Sequence, residues 1–452
     1  MTKLSMNWWE RLLFRDRGII PTKRLLFFML LLSIALFITT LWGVSWTFIF
    51  VMNSVMFLLS FIDLLFLPKR KQLSFTRTMP VKFERGLTYQ VEIEVENNSP
   101  YAVHCRTIDG LPQSFDRPFP LKNAISENSK TVISYHTRAP VRGKYTIEKL
   151  YVRYTGRFGL WEKQTSISNE DTVKVIPDLT STKDYLENAQ RYLLYEGVQI
   201  RKQQSAVGEF SKIRNYVTGD DPRKINWRQT AKLQEVMTNE YEPEHGKYMT
   251  ILVDCGRMMG AELRQGNRLE RSLEAALTVT AAALQKGDYV SLIAFSKNVQ
   301  VYVPPAKGMA HLQTIINGVY DLQADESESN YAEVLNYLQT VQKKRSFILL
   351  FSDVRTFLHE ESALVYLKRL RQRHLFFMVG IEDETLLKKV IDAPVDAQSA
   401  MVKSMAQNQL LTKKREKNKW EKQGLQMVEA KEEKLASTAV SHYIQMMNRG
   451  LL

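Results

Sequence analysis

The chain has 452 residues and a net charge of +14, with 44% hydrophobic and 24% charged residues, a mixture typical of folded rather than disordered proteins. The length predicts roughly two or three domains. Its two cysteines, Cys105 and Cys255, exclude a disulfide framework and any metal site built on paired cysteines. The basic balance suits nucleic acid, an anionic membrane surface or an acidic protein partner.

Residues 25–67 are almost uniformly apolar, and their only acidic side chain is Asp63. One helix needs about 20 apolar residues to cross the hydrocarbon layer of a membrane, so this run predicts two transmembrane helices, Leu25–Trp42 and Trp46–Phe66. A buried helical hairpin in a soluble protein is the alternative, whereas a cleaved signal peptide does not fit an apolar region of this length. Asp63 is interpreted as a helix-end residue at the interface or, alternatively, as a functional acid within the membrane.

Basic residues flank the apolar run on both sides. Residues 1–24 form a basic arm before it, and Lys69, Arg70 and Lys71 follow it. Because basic flanks remain in the cytoplasm, we expect a multi-pass protein of the cell membrane. Both termini and the soluble domains would lie in the cytoplasm.

Residues 72–180 are predicted to form a β-rich, sandwich-like domain. The stretches Thr88–Glu96, Thr131–Thr137 and Tyr145–Tyr154 alternate apolar and polar side chains, and turn-rich segments separate them. Short alternating strands at this spacing are typical of a β-sandwich. Residues 181–247 then form a polar connector.

Residues 248–452 alternate between apolar strands and helical periodicity. The predicted strands are Tyr248–Val253, Val290–Phe295, Val299–Val303, Phe347–Phe351, Leu375–Val379 and Leu425–Val428. Helices such as Leu269–Gln285 are predicted between them. This alternation indicates an α/β fold with a mostly parallel sheet covered by helices on both faces. Ligands bind such sheets at the carboxyl ends of the strands.

Asp254 and Asp353 each follow an apolar strand of this domain. Two carboxylates at one edge of a parallel sheet could hold Mg²⁺ or Mn²⁺, which prefer oxygen ligands. The arrangement resembles the metal site of the von Willebrand factor A-type fold. That site has an Asp-x-Ser-x-Ser motif after the first strand, a Thr in a later loop and an Asp after the fourth strand.

The motif departs from this pattern, because it reads Asp254-Cys255-Gly256-Arg257-Met258 and lacks both hydroxyl ligands. Ser329 is the candidate for the loop hydroxyl. Losing two ligands of a weakly held hard cation should abolish or greatly weaken binding. We therefore expect no cofactor. The two carboxylates would form a degenerate Mg²⁺ or Mn²⁺ site or, alternatively, would cap loops or helix termini.

The connector resembles the signature of domain-of-unknown-function family 58 (DUF58). The residues that carry the resemblance are Gly208, Glu209, Phe210, Arg214, Tyr216, Gly219, Asp220, Asp221, Arg223, Asn226 and Trp227. Many positions match in order, and the resemblance extends over nearly the whole chain. It implies a membrane hairpin, a β-rich region, this signature and a von Willebrand factor A-like domain. It also implies association with AAA+ ATPases of the MoxR type, with no reaction established for the family.

Two interpretations of the signature follow from its chemistry. Arg214, Asp220, Asp221 and Arg223 are expected to form a buried charge network that docks the connector on the sheet, with Trp227 as a packing anchor. The alternative is an interaction hot spot, since Trp and Arg are enriched in such sites.

Other chemistry has little support in the sequence. There is no phosphate-binding loop, no Gly-x-Ser-x-Gly elbow and no His-Glu-x-x-His zinc motif. Cys255 is interpreted as a core residue, with a nucleophile as the alternative. The basic stretch at residues 413–422 reads as a solvated helix face or a contact with anionic lipid headgroups, and no nucleic-acid motif accompanies it.

The leading hypothesis is therefore a membrane-anchored scaffold or adaptor, not an enzyme, that faces the cytosol. It would bind a protein partner such as a MoxR-type AAA+ ATPase through the face around Asp254, Arg257, Ser329 and Asp353. The alternative is a divalent-metal-dependent ligand receptor that uses Asp254 and Asp353. A hydrolase in which Cys255 converges with these two carboxylates is the third hypothesis.

Overall fold

The computed structural model describes residues 18–39, 42–43, 45–195, 209–242 and 246–448. The chain divides into two compact units, Met1–Ile176 and Pro177–Leu452. Residues 1–17, which include most of the predicted basic arm, lie outside the described residues. The division falls close to the predicted end of the β-rich domain at residue 180.

The first unit begins with a short strand and apolar helices. The elements are β1 (Ile19–Pro21), α1 (Lys23–Thr39), α2 (Trp46–Ser60) and α3 (Ile62–Leu65). The first two helices are antiparallel, because Ser33 Oγ lies 3.0 Å from Asn53 Oδ1 and the Phe37 and Trp46 rings are 5.9 Å apart.

One helical segment among the described residues, Trp46–Gln72, is long and apolar enough to cross a membrane. Helix α1 is shorter, at 17 residues. Length and composition therefore support one of the two predicted spans. A buried core helix or a signal sequence would pass the same test, but most of this segment is exposed, with 17% of its most apolar window buried.

The rest of the first unit consists of two β-sheets around one core. Its strands are β2 (Leu73–Thr78), β3 (Lys82–Glu84), β4 (Thr88–Asn97), β5 (Val103–Asp109), β6 (Leu121–Ile125), β7 (Ser129–Arg138), β8 (Gly143–Thr155) and β9 (Trp161–Ile176). One sheet has the order β2-β4-β7, and the other has the order β1-β9-β8-β5-β6, with β3 paired to β9. Val91, Ile93 and Val95 of β4 are fully buried, as their alternation with glutamates predicts.

A buried ion pair bridges the two sheets. Arg77 of β2 donates to Asp109 of β5 at 2.5 Å and 2.9 Å and to Asp171 of β9 at 2.9 Å. Tyr135 donates its hydroxyl to Asp109 at 2.6 Å, and burial together with that carboxylate raises the Tyr135 pKa. Removal of one partner of such a pair is strongly destabilising, because it leaves a buried charge uncompensated.

Asp63 connects the helices to the larger sheet. It is buried in α3, and its Oδ2 accepts hydrogen bonds from the backbone nitrogens of Leu160 at 2.8 Å and Trp161 at 3.1 Å. The Trp161 indole donates to Ser60 Oγ at 3.1 Å. Asp63 is thus a buried residue near a helix end that caps the loop between β8 and β9, and its predicted place at a membrane interface stays a prediction.

The second unit contains a six-stranded sheet with the order β16-β15-β12-β17-β18-β19. These strands are β12 (Tyr248–Asp254), β15 (Tyr289–Phe295), β16 (Val299–Ala306), β17 (Ser346–Phe351), β18 (Leu375–Ile381) and β19 (Gln426–Ala430). All neighbouring pairs run parallel except β15 and β16, which form an antiparallel pair at one edge. A small hairpin, β13 (Glu262–Leu263) and β14 (Gly266–Asn267), follows β12. The chain is therefore a mixed α/β protein, as predicted.

Helices cover both faces of this sheet. The helices described in the second unit are α4 (Thr180–Tyr195), α5 (Trp227–Leu233), α6 (Arg268–Gln285), α7 (Met309–Val319), α8 (Tyr331–Val341), α9 (Val354–His359), α10 (Glu361–Arg371), α11 (Glu384–Ile391), α12 (Ala397–Lys422) and α13 (Leu435–Asn448), of which α5 lies beside β11 rather than on this sheet. Leu252 and Leu350 share a core with Leu338 of α8 and Leu367 of α10. Helix α6 contacts β12 and β15, and α13 contacts β18, from the opposite face.

The predicted polar connector contains more regular structure than we expected. Helix α4 begins it and packs on α6, where the hydroxyls of Thr182 and Thr278 lie 3.1 Å apart. Strands β10 (Glu209–Asn215) and β11 (Met237–Glu242) then pair antiparallel, with α5 between them. The signature therefore lies on a two-stranded hairpin that carries a short helix.

Candidate functional site

Asp254 lies at the carboxyl end of β12, at the centre of a buried hydrogen-bond network. Its carboxylate accepts from the Gly256 backbone at 2.8 Å, the Tyr331 hydroxyl at 3.0 Å and the Ser352 hydroxyl at 2.5 Å. The Ser329 hydroxyl also donates to it. These donors belong to the turn after β12, the start of α8 and the end of β17, so one carboxylate holds three segments together at this edge of the sheet.

Gly256 makes room for this network. A Cβ at this position would overlap Ser329 Oγ and lie 3.0 Å from the Ser329 nitrogen. Glycine at this position therefore leaves the space that the Ser329 hydroxyl occupies beside Asp254.

The Asp254 carboxylate is closed to solvent, since the residue is only 1% exposed. Burial raises the pKa of Asp254, against the lowering effect of its hydroxyl and backbone donors. Burial, then the charge of Asp254, raises the pKa of the Tyr331 hydroxyl well above its ordinary value. Cys255 is fully buried next to them, which agrees with its interpretation as a core residue and leaves the hydrolase hypothesis without a reachable nucleophile at this position.

Asp353 is engaged in two structural roles. Its Oδ2 caps α9 by accepting from the Thr356 nitrogen and hydroxyl, both at 2.9 Å. Its Oδ1 forms an ion pair with Arg268 Nη1 at the start of α6. The negative charge of Asp353 is therefore matched by a guanidinium from the same chain.

This arrangement does not fit a Mg²⁺ or Mn²⁺ site. Hard cations require carboxylate oxygens that are free to coordinate, but Asp254 accepts four hydrogen bonds and Asp353 is paired with Arg268. Among the described residues, no group of three or more His, Cys, Asp or Glu side chains could hold a metal ion. The predicted metal role of the two aspartates thus conflicts with their contacts.

The predicted partner-binding face is exposed at one of its four residues. Arg257 is 62% exposed in its side chain and pairs with Glu328, also exposed, at 2.9 Å. Asp254, Ser329 and Asp353 are buried, and the prediction that they contact a partner directly is corrected. Asp254 and Ser329 link the two loops that carry Arg257 and Glu328.

The signature residues mainly build the β10–β11 hairpin. Arg214 donates twice to Asp220 at 2.7 Å, and Asp220 accepts from the Val217 nitrogen at 3.0 Å. The Arg214 hydrogen bond lowers the pKa of Asp220. Tyr216 donates its hydroxyl to the Asp220 carbonyl at 3.1 Å, and Gly219 adopts a φ of +113° that favours glycine.

The second half of the signature consists of caps. Asp221 accepts from the Arg223 nitrogen at 3.0 Å in the turn that Pro222 begins. Asn226 caps α5 by accepting from the Gln229 nitrogen at 3.1 Å. Gly208 lies outside the described residues, and only the backbone of Glu209 and Phe210 is described, within β10.

Two expectations about the signature are wrong. Arg214 and Asp220 pair within the hairpin and are partly exposed, and Asp221 and Arg223 are exposed, so they do not form a buried network docked on the sheet. Trp227 is 70% exposed and is no packing anchor. Local turns and caps account for these polar residues without a tertiary contact.

A cavity of about 230 Å³ lies beside Asp353 at the carboxyl ends of β17 and β18. Arg268, Arg355, Asp383 and Lys413 contribute charged groups to its wall. Sequence reasoning missed these residues, which come from α6, α9, the end of β18 and α12. Arg268 offered one signal, because a basic side chain in the first turn of a helix opposes the helix dipole and calls for a dedicated acidic partner.

Comparison with known proteins places the signature from Arg214 onward and much of the α/β unit in one family model. Residues 212–405 match the model described as protein of unknown function DUF58. The uncharacterized protein YeaD of Bacillus subtilis (strain 168) is 23% identical over 206 residues, which cover 44% of this chain and 48% of that protein. The chain thus spans about half the length of this curated relative.

Two solved structures are similar to parts of the chain. The conserved hypothetical protein BatB from Bacteroides thetaiotaomicron has 16% identity and a TM-score of 0.30, over 45% of this chain and 100% of BatB. The ASH/PapD-like domain of human CEP192 has 15% identity and a TM-score of 0.19, over 24% of this chain and 93% of that domain.

Proposed function

We propose that this protein is a membrane-anchored scaffold or adaptor, not an enzyme, that binds a protein partner at the carboxyl edge of its α/β sheet. The observation that carries the proposal is the set of hydrogen bonds to the Asp254 carboxylate. This carboxylate is saturated by four donors from three segments, so it holds loops in place and has no free position for substrate or metal.

The exposed groups on those loops are charged and fixed in position. Arg257 donates its backbone nitrogen to the Ser327 carbonyl at 2.9 Å and pairs with Glu328 through its side chain. Charged groups at the rim of an interface contribute specificity and association rate more than affinity. A preformed pair above a rigid network therefore suits recognition of a partner with complementary charges.

The proposed attachment is a hairpin that crosses the cell membrane twice, with both ends and the soluble units in the cytoplasm. The two antiparallel apolar helices support it through exposed side chains such as Phe28 and Phe50, which water would disfavour and lipid would accommodate. The basic residues before and after the helices support the orientation.

The proposed partner is an AAA+ ATPase of the MoxR type, and the proposed identity of the α/β unit is a von Willebrand factor A-like domain. The match of residues 212–405 to the DUF58 model supports both through the family resemblance. The strand order of the sheet, with one antiparallel edge strand, supports the proposal of a von Willebrand factor A-like domain.

Affinity capture of the full chain from gently solubilised native membranes, with and without a non-hydrolysable ATP analogue, tests the proposal. We expect mass spectrometry to find an AAA+ ATPase in stoichiometric amount, and we expect Arg257→Glu to remove it. Lys368→Glu is the matched control, because it reverses one exposed charge on α10. Recovery of the chain alone under both nucleotide conditions would overturn the proposal.

A further inference from the structure

The cavity beside Asp353 is lined by both apolar and charged side chains. Leu358, Ile381 and Leu386 contribute apolar surface, and Arg268 and Arg355 contribute guanidinium groups. Its volume of about 230 Å³ suits a side chain or a small molecule. None of these residues belongs to the signature or to the Asp254 network, so the cavity needs an account of its own.

The acidic groups of the cavity are already engaged as acceptors. Asp353 accepts from Arg268 and Thr356. Asp383 caps α11 by accepting from the Leu386 nitrogen at 3.1 Å and from the Thr385 hydroxyl at 2.5 Å. These carboxylates stabilise the protein itself and leave little capacity for a cationic ligand.

Cationic donors, by contrast, remain available. Arg268 is 9% exposed, it uses Nη1 for Asp353, and its Nε has no hydrogen-bond partner among the described residues. A buried guanidinium N–H without an acceptor is energetically unfavourable. Arg355 is exposed at the cavity wall and forms no hydrogen bond or ion pair with the part of the chain that the structure describes. Lys413 is paired with Glu429, outside the cavity lining.

The charges of the residues that line the cavity indicate which ligand it would bind. The lining contains three Arg or Lys residues, Arg268, Arg355 and Lys413, and three acidic residues, Asp353, Asp383 and Glu416. Asp353 is matched to Arg268, Lys413 to Glu429 and Glu416 to Lys419, while Asp383 accepts from Thr385 and Leu386. Arg355 is the remaining cation of the lining, so a single added negative charge would match it and a dianion would exceed it. The planar guanidinium also fits a carboxylate in a bidentate manner.

We propose that this cavity binds a carboxylate with a short aliphatic arm, presented as a glutamate side chain of the protein partner. The inference rests on the proposed function, since it names the chemical group by which the partner is held. Arg355 contacts the carboxylate, the buried Arg268 guanidinium adds a weaker positive contribution because it shares its charge with Asp353, and the apolar lining residues contact the arm.

Ligand-observed NMR on the full chain in detergent tests the inference, with propionate as the probe and propanol and inorganic phosphate as comparisons. We expect propionate to bind, propanol and phosphate to bind at least tenfold more weakly, and Arg355→Ala to weaken propionate binding at least tenfold. Lys368→Ala, which removes an exposed cation elsewhere on the surface, should leave it unchanged. Arg268→Lys, which keeps the charge but loses the planar fork, should weaken it less than Arg355→Ala.

Absence of propionate binding, or equal binding by wild type and Arg355→Ala, would overturn the inference even when the ATPase is captured. Equal binding of phosphate would overturn the choice of a carboxylate. ATPase capture that is lost in Arg355→Ala and retained in Lys368→Ala supports a carboxylate carried by the partner. Propionate binding that depends on Arg355, together with failure to capture the ATPase, would overturn the proposed function. It would also overturn the inference that the partner supplies the carboxylate.

Discussion

Replacement of Gly256 by alanine should destabilise the α/β unit through one identifiable contact. The backbone φ of Gly256 is −72°, which any residue adopts, so the effect is not conformational strain. The added methyl group would overlap Ser329 Oγ and approach the Ser329 nitrogen to 3.0 Å. The Ser329 hydroxyl must then move away from Asp254 and leave a buried carboxylate with one donor fewer.

The magnitude follows from that loss. A hydrogen bond to a charged group contributes about 1.5–3 kcal/mol, so we expect Gly256→Ala to lower the free energy of unfolding by about 2–3 kcal/mol. Ser329→Ala removes the same hydrogen bond and should cost a similar amount. The double variant should cost about the same as either single variant, because the methyl group then occupies the space that the hydroxyl vacated, and the coupling energy should be about 2 kcal/mol.

Thermal unfolding of the full chain in detergent measures this cycle. For a unit of this size, about 1 kcal/mol corresponds to about 2–4 °C in Tm, so each single variant should lower the Tm of the α/β unit by about 4–12 °C. Strict additivity of the two substitutions, or an unchanged Tm in Gly256→Ala, would refute the assignment of Gly256 as the space for the Ser329 hydroxyl.

Four further outcomes follow from the contacts. The pKa of Asp254 is raised above its ordinary 3.8, so its protonation stabilises the fold at low pH and that contribution is lost as pH rises through the folded pKa; pH-dependent unfolding should show a flatter profile in Asp254→Asn. Asp109→Ala leaves Arg77 buried with one carboxylate fewer and should cost about 3–5 kcal/mol in denaturant unfolding of the first unit. Trp227→Ala, at an exposed position, should change stability by less than about 0.5 kcal/mol in the same assay. Addition of Mg²⁺ or Mn²⁺ should produce no binding heat in calorimetry and no rise in Tm, because ligand binding to the native state would raise it.

Periodic burial accounts for the parts of the fold that the sequence predicts well. Val91, Ile93 and Val95 alternate with glutamates, and one face of β4 is buried as a result. Strand β17 is apolar at most positions and is buried on both faces, as expected for an interior strand of a parallel sheet. The physical cause is the same in β4 and β17, because the side chains on each face of a strand must match the polarity of the surroundings of that face.

Helix α12, between β18 and β19, was predicted only at its basic end, residues 413–422, because its sequence has no apolar face. Helix α12 has 26 residues and only Ala406 and Trp420 are buried. Its start is fixed by a local device, in which Asp396 accepts from the Ser399 nitrogen, and such caps leave a weak signal in sequence. The residues that α12 contributes to the cavity lining could therefore not be predicted from periodicity.

The sequence predicted only part of the candidate site, because the contacts that define it join residues far apart in the chain. Asp254 and Asp353 could be placed at strand ends from sequence, but the partners that decide their chemistry are distant in the chain. Arg268 lies 85 residues from Asp353 and Ser352 lies 98 residues from Asp254. A carboxylate at a strand end is the same in sequence whether a cation, a guanidinium or hydroxyl groups surround it, and only the fold distinguishes them.

The signature separates into residues that build the hairpin and a residue that the hairpin presents. Arg214, Asp220 and Asn226 form turns and caps within it, so their chemistry is used locally. Trp227 follows the Asn226 cap and remains 70% exposed, although burial of an indole stabilises a fold more than most side chains do. A hairpin held by its own polar contacts that exposes a tryptophan favours the interaction hot spot over the docking anchor, because the residues around Trp227 already have a structural reason to be there and Trp227 does not.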